Sequence, residues 1–290
     1  MDSLQFLSKI RHIPLVSLKL VEGLLAGNYR SVFRGPGLEF DEVRDYTHED
    51  DSRFIDWNVT SRMDSPYIKT FKEERELVMF LVVDVSASMR SGSGKMSRED
   101  TAAVLSVLLA HAAIENNDRV GALFYSDGIE HWVPPLKGRK HISRLIADMQ
   151  EITPKGKGSG LDLAIRTVQE SLKRRSICVI LSDFRTSRGW QELTLLSRKH
   201  DVIAIKISDP DDRRFPDTGL MYLQDPETGR VIPSLGKSGN FRKEHHDFWA
   251  TQEIFWLREC RRRGIDTLTV STNDDPVMKL ISYFKRRKRR

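Results

Sequence analysis

The sequence predicts an α/β fold: a doubly wound, mostly parallel sheet covered by helices on both faces. Residues 77–83 read Leu-Val-Met-Phe-Leu-Val-Val without a polar break, the signature of a strand buried on both sides. Residues 177–181, Ile-Cys-Val-Ile-Leu, repeat it. Around these two runs, stretches with helical spacing alternate with short apolar runs, and strand–helix–strand order implies right-handed crossovers and a parallel sheet.

The elements follow in chain order. Residues 1–34 place Leu4, Leu7, Ile10, Leu18, Val21 and Leu25 at helical spacing among Lys9, Arg11, Lys19 and Arg30, with Pro14 dividing them into two pieces. Such a basic amphipathic stripe either docks on its own protein's core or lies on a membrane surface. Residues 34–76 turn polar and aromatic and predict short strands and turns, so that 1–76 forms an N-terminal region. Arg–carboxylate pairing among Asp45, Asp51, Arg53, Asp56 and Arg62 is expected to hold this module. His48 stands beside Glu49, Asp50 and Asp51 but lacks metal-ligand spacing.

Beyond the 77–83 strand, Ser97 and Asp100 form a capping box, and Ala102, Leu105, Leu108, Leu109 and Ala112 give the apolar face of the helix it starts. Residues 120–125 form a strand, and 129–133 an edge strand ahead of Pro134-Pro135. Ile142, Leu145, Ile146 and Met149 mark the next helix, and Leu161, Ile165, Val168 and Leu172 the one after. A helix over about 190–196 leads from the 177–181 strand to a strand at 202–207. Residues 209–240 break the rhythm with Pro, Asp and Gly and predict an insertion with a hairpin turning at 225–229. A long helix over about 246–263, a strand at 265–270 and a helix after Pro276 complete a domain of residues 77–285, followed by a basic tail at 286–290.

Composition bounds the function classes. With 39% hydrophobic and 30% charged residues, the chain is ordinary for a soluble globular protein. No apolar run approaches the roughly 18 residues of a membrane span. The first residues show no basic region followed by an apolar stretch and a cleavage site, so a cytoplasmic location is expected. Cys178 and Cys260 have no CxxC partner and suggest no metal knuckle. The net charge is +6, and Lys285-Arg-Arg-Lys-Arg-Arg290 carries all of it. The body is therefore neutral and gives no support for nucleic-acid binding, whereas the tail could hold the chain on nucleic acid or an anionic membrane in a salt-sensitive way.

The chemistry is expected where strands end. In an open parallel sheet, ligands bind at the C-terminal strand edge, where the connections reverse direction. Asp84 follows one buried run, with Ser86 and Ser88 at alternate positions after it, and Asp183 follows the other. Gly156-Lys-Gly158-Ser159-Gly160 opens the helix beginning at Leu161 and can bring a third hydroxyl to the same edge. Asp84, Ser86, Ser88, Ser159 and Asp183, completed by water, suit six-coordinate magnesium or manganese, and the absence of soft ligands argues against zinc.

These residues resemble a known site. Asp84-Val-Ser86-Ala-Ser88, Ser159 with Ala164-Ile165 beyond it, and Leu181-Ser-Asp183 are similar to the metal-ion-dependent adhesion site of von Willebrand factor A domains, a Rossmann-like fold. The loop position is usually threonine there. Ser159 keeps the hydroxyl and loses the methyl, which bears on affinity. The preceding segment narrows the match: Gly35-Pro-Gly37-Leu-Glu39-Phe40-Asp41, Arg44, Tyr46, Asp50-Asp-Ser-Arg53-Phe-Ile-Asp56-Trp57-Asn, Arg62 and Lys72-Glu-Glu-Arg75-Glu, with Arg263-Gly-Ile265-Asp266-Thr-Leu near the end, resemble the bacterial "domain of unknown function 58" family over roughly residues 20–285. The resemblance implies a non-catalytic module that binds a partner protein through a cation, the partner supplying a carboxylate. Members are often encoded beside MoxR-type AAA+ ATPases, which implies such an ATPase as partner in assembly or remodelling of other proteins.

Other readings have specific obstacles. A magnesium-dependent phosphohydrolase of the haloacid-dehalogenase type needs an acid two positions after its aspartate, and Ser86 stands there. Ser91-Gly-Ser93-Gly94 lacks the full nucleophile elbow. Gly92-Ser-Gly94-Lys95 lacks the spacing of a phosphate-binding loop.

Overall fold

The computed structural model describes residues 39–47, 50–63, 65–72, 77–186, 188–215 and 219–288. The helical pieces expected within 1–34 lie outside these residues, as do His48 and Glu49. The chain divides into two compact units, Phe33–Glu76 and a larger one that includes Leu77–Arg290.

In the smaller unit, β1 (Glu39–Asp45) pairs antiparallel with a second strand, β2 (Tyr67–Lys72), and the short helix α1 (Trp57–Thr60) lies between them in sequence. Of the pairings expected here, Arg53–Asp51 forms, at 2.5 Å. The rest differ. Arg44 grips Asp50 with two bonds of 2.6 and 2.8 Å, and Thr47 adds its N–H and hydroxyl to the same carboxylate. Together these hold the Asp50 carboxyl well below its ordinary range, the Arg44 guanidinium being the largest cause. Asp45 accepts from the Ser65 hydroxyl at 3.1 Å. Asp56 caps α1, accepting from Asn58 N at 3.0 Å, because a helix start leaves N–H groups that only a neighbouring side chain can reach. Arg62 makes no ion pair among the described residues.

The larger unit runs β3 (Val78–Asp84), α2 (Arg98–Glu115), β4 (Arg119–Tyr125), β5 (Ile129–Leu136), α3 (Arg139–Glu151), α4 (Leu161–Ser171), β6 (Ile177–Ser182), α5 (Trp190–Lys199), β7 (Asp201–Ser208), α6 (Pro210–Arg213), β8 (Leu220–Gln224), β9 (Val231–Leu235), α7 (Gly239–Arg262), β10 (Asp266–Ser271) and α8 (Pro276–Lys288). Its sheet has the order β10-β7-β6-β3-β4-β5, all parallel except β5 at one edge. The doubly wound, mostly parallel fold predicted from the sequence is the fold observed. The chain leaves β3 toward β4 and returns on the other side as β6, so the direction of winding reverses between β3 and β6.

Alternation along the strands supplies both layers. Phe80, Val82, Cys178 and Ile180 pack with Leu161, Ile165 and Val168 of α4, Leu193 and Leu196 of α5, and Trp256 of α7. On the other layer α2 packs against β3 and β4 and is itself flanked by α3 and α8. That is why α2 is buried nearly all round, from Arg98 to Ala113, rather than on one stripe. The Ser97–Asp100 capping box is present.

Three boundaries differ from expectation for physical reasons. Strand β5 continues through Pro134 and Pro135 to Leu136, because the register shifts between the Val120–Leu136 and Ala122–Val133 pairs and the two prolines fall in that irregularity of an edge strand, where a missing N–H is tolerated. Helix α7 starts earlier, at Gly239, where Ser238 Oγ accepts from Phe241 N at 3.3 Å. Helix α8 runs on to Lys288, so Lys285 to Arg287 are its last turns rather than a separate tail. Arg287 bridges Asp201 and Asp266 at 2.7 and 2.9 Å. The insertion forms the β8–β9 hairpin, turning through 225–230 with Asp225 accepting from Glu227 N and Thr228.

Candidate metal centre

Asp84 ends β3 at the reversal point and is almost fully buried. Its position across the sheet follows from register. Asp84 lies opposite Tyr125 on β4, and Val83 lies opposite Leu181 on β6, which puts Ser182 beside Asp84. The side chains of Tyr125, Asp84 and Ser182 thus form one row over three strands. Asp84 Oδ2 accepts from Ser182 Oγ at 2.7 Å and Tyr125 OH at 3.3 Å. Its other oxygen accepts from Ser86 N at 2.9 Å, closing the turn after β3. The Ser86 and Ser88 hydroxyls are 3.2 Å apart, and both residues are buried.

Ser159 arrives from the loop before α4 and donates to Asp84 Oδ2 at 3.2 Å. That loop is pinned at several points. Glu130 Oε1 accepts from Lys155 N at 2.9 Å, Gly156 N at 3.2 Å and the Ser126 hydroxyl. Gly160 N donates to Ser126 O at 2.5 Å, and Ala87 N to Lys157 O at 3.0 Å. A side chain at Gly156 would meet only the movable Asp127 carboxylate, whereas one at Gly160 would meet the Asp127 carbonyl oxygen at 2.7 Å, so it is Gly160 that this close approach requires.

Asp183 follows β6 and is also buried. Its Oδ1 accepts from Arg185 N at 3.3 Å. Its Oδ2 makes no hydrogen bond, although Arg185 Nε approaches to 3.3 Å. Between them Phe184 has φ 51°, a left-handed conformation unusual for a bulky residue; its N–H donates to Ser182 Oγ at 2.9 Å and its ring packs 5.4 Å from Trp256. Arg185 is held in turn by Asp212 and by the Trp249 ring, 4.4 Å from its guanidinium carbon. Asp212 also binds the buried Arg98 at 2.8 Å.

The electrostatics are those of two anions out of water. Burial, and then the charge of Asp183, push the Asp84 carboxyl above its ordinary range, against the lowering effect of the Ser86 and Ser182 hydrogen bonds. The hairpin tip senses the same field. Glu227 is half-buried among exposed neighbours, and burial followed by the charges of Asp183 and Asp84 pushes its carboxyl up.

The structure therefore brings all five expected residues, Asp84, Ser86, Ser88, Ser159 and Asp183, to one rim. It adds Ser182, Tyr125 and Arg185, none of which the sequence had assigned to the site, and sets Glu227 of the hairpin within their field. Ser182 and Arg185 lie within two residues of Asp183 in sequence, whereas Tyr125 is placed by register and Glu227 by the hairpin. The donor set fits a hard cation: two buried carboxylates with one oxygen lacking a hydrogen bond, and neutral hydroxyls around them. Among the described residues no three His, Cys, Asp or Glu side chains converge as a metal cluster, so hydroxyls would make up much of any shell.

A second cluster explains Gly92-Ser-Gly94-Lys95. Asp209, at the end of β7, accepts from Ser93 N at 2.9 Å and from the hydroxyls of Ser93 and Thr272 at 2.5 and 2.8 Å. These bonds tie the loop after β3 to the ends of β7 and β10.

Residues 42–254 match the family described as "Protein of unknown function DUF58". The chain belongs to the DUF58 family. Uncharacterized protein Rv1480 of Mycobacterium tuberculosis H37Rv, a relative of this DUF58 chain, is 30% identical over 292 residues, covering 99% of this chain and 92% of its own. Uncharacterized protein MAV169 of Mycobacterium avium is 31% identical over 160 residues, 54% of this chain and 94% of its own. Among solved structures, BatB from Bacteroides thetaiotaomicron is similar with TM-score 0.47 at 15% identity, covering 74% of this chain and 100% of its own. The SpRpn10 VWA domain is similar with TM-score 0.40 at 10% identity, covering 71% of this chain and 94% of its own. Among the described residues, no helix is long and apolar enough to cross a membrane.

Proposed function

We propose that this DUF58 protein is a non-catalytic binding module whose rim holds magnesium or manganese and through it a carboxylate of a partner protein, a MoxR-type AAA+ ATPase. One observation carries the reading: buried Asp183, beside Asp84 at the reversal point, adds its charge to the burial that disfavours ionised Asp84, while its own Oδ2 makes no hydrogen bond. Two carboxylates in that state favour a bound cation.

Asp84, Ser86, Ser88, Ser159 and Asp183 would hold the ion. Bound there among mostly neutral hydroxyls, it would supply Lewis acidity toward an incoming carboxylate. The protein's own residues do the rest. Ser182 and Tyr125 orient Asp84, the Glu130-anchored loop presents Ser159, and Arg185 partly offsets the charge of Asp183.

The test is calorimetry of the full chain with magnesium and manganese, followed by capture of a purified MoxR-type ATPase with and without EDTA. Binding heat and chelator-sensitive capture are expected, both lost in Asp84→Ala and Ser86→Ala. Capture that survives EDTA, or a cation response unchanged in both variants, overturns the proposal.

A further inference from the structure

The two edges of the sheet are protected differently. Edge strand β5 contains Pro134 and Pro135, which blunt strand addition. Edge strand β10 reads Asp-Thr-Leu-Thr-Val-Ser, with no proline or lysine. It bonds β7 on one side, and among the described residues nothing pairs with the other. Half the main-chain N–H and C=O groups of such a strand face outward.

A trough follows this edge. Helices α7 and α8 both contact β10, and two pockets of about 330 and 350 Å³ lie along it, sharing Leu257, Thr267, Tyr283 and Arg286. Thr267 is half-buried, and Leu257 is 38% exposed. The trough reaches Gly264 and Asp266 at the start of β10, the end of the strand away from the Asp84 rim.

Its charge is one-sided. Arg287 is committed to Asp201 and Asp266, and Lys279 to Asp274. Arg261 on the α7 wall and Arg286 on the α8 wall are exposed and make no ion pair among the described residues. Among the described residues, an exposed cation without an ion pair therefore stands on each side of an unpaired strand edge.

We infer that the β10 edge is a docking site for an extended acidic segment of another protein, which adds as a strand while its carboxylates meet Arg261 and Arg286. Strand addition takes affinity from main-chain bonds and specificity from flanking side chains, and the trough provides both. A second copy is the competing occupant, and sedimentation separates it from the acidic segment, whose carboxylates complement the two arginines. The site is separate from the metal rim and needs no cation.

The experiment uses the full chain in EDTA and a labelled, end-capped octapeptide of alternating Glu and Val, followed by fluorescence anisotropy. Saturable binding is expected, unchanged by Asp84→Ala. Arg261→Glu with Arg286→Glu should weaken it at least tenfold. N-methylation of alternate peptide nitrogens, which leaves the protein untouched, should weaken it by a similar factor. Four results overturn the inference: equal binding of the N-methylated peptide, equal binding of a Lys-Val peptide, tighter binding of a thymidine oligonucleotide than of the acidic peptide, or a β10-dependent dimer in sedimentation that excludes the peptide.

Discussion

Ser182 Oγ donates to Asp84 Oδ2 at 2.7 Å across the seam between β6 and β3, where the winding of the sheet reverses. The same oxygen of Ser182 accepts from Phe184 N at 2.9 Å. One hydroxyl therefore couples the acid at the end of β3 to the left-handed turn that follows β6.

Ser182→Ala should expose that coupling. It removes a donor from a buried carboxylate and an acceptor from a buried N–H, and leaving buried partners unsatisfied costs about 1–3 kcal/mol. Urea unfolding should show a loss of this size with the slope unchanged. A loss below about 0.5 kcal/mol would mean that water replaces the hydroxyl.

Asp84→Asn should act oppositely on fold and function. Burial and the Asp183 charge both disfavour ionised Asp84, so in EDTA at neutral pH the neutral isostere should unfold at a higher temperature than the parent, by about 1 kcal/mol or more in stability. Magnesium should then raise the melting temperature of the parent and leave the variant unmoved. Equal cation-induced shifts would remove Asp84 from the site.

His200 sets an acid limit on stability. Its ring is buried, Nδ1 accepts from Ser176 N at 3.2 Å, and burial, then Lys199 and Arg175, push its pKa from 6.5 down to about 4. Below pH 6.5 the unfolded chain takes up a proton that the folded chain refuses, so stability falls as pH drops from about 6.5 to about 4 and is flat in this respect outside that window. At about 1.4 kcal/mol per pH unit the loss from this group is at most about 3 kcal/mol. Thermal melts of the parent and His200→Gln across pH 4–7 should show a shallower slope in the variant.

Gly94→Ala tests the Asp209 clamp. A Cβ there would collide with Thr272, including its backbone carbon at 2.8 Å, and overpacking of this kind costs about 1–3 kcal/mol. The melting temperature should fall, and proteolysis should begin in the loop after β3. An unchanged melting temperature would show that the loop yields freely.

The order of elements was legible from the chain alone. Unbroken apolar runs at 77–83 and 177–181 can be satisfied only by burial on both faces, and the Ser97–Asp100 box or the turn at 225–229 are local devices read from adjacent residues. The placement of Asp84, Ser86, Ser88, Ser159 and Asp183 at one rim was legible too, because each stands at a strand end or in a glycine-rich loop. The smaller unit was read less well: the Arg44–Asp50 pair was not among those expected, because it depends on which side chains a short turn brings together. The basic run after residue 284 was taken from composition, which cannot see that Arg287 meets Asp201 and Asp266.

By itself, then, the sequence determined which segments must be strands and helices and which acids and hydroxyls lie at their ends, since burial periodicity and capping act between near neighbours. Only the tertiary structure decided that Ser182 and Tyr125 hold Asp84, that Arg185 borders Asp183, and that β10 is an edge with no partner on one side among the described residues. Register and strand order are relations between segments far apart in the chain, and they are chosen by how whole faces pack.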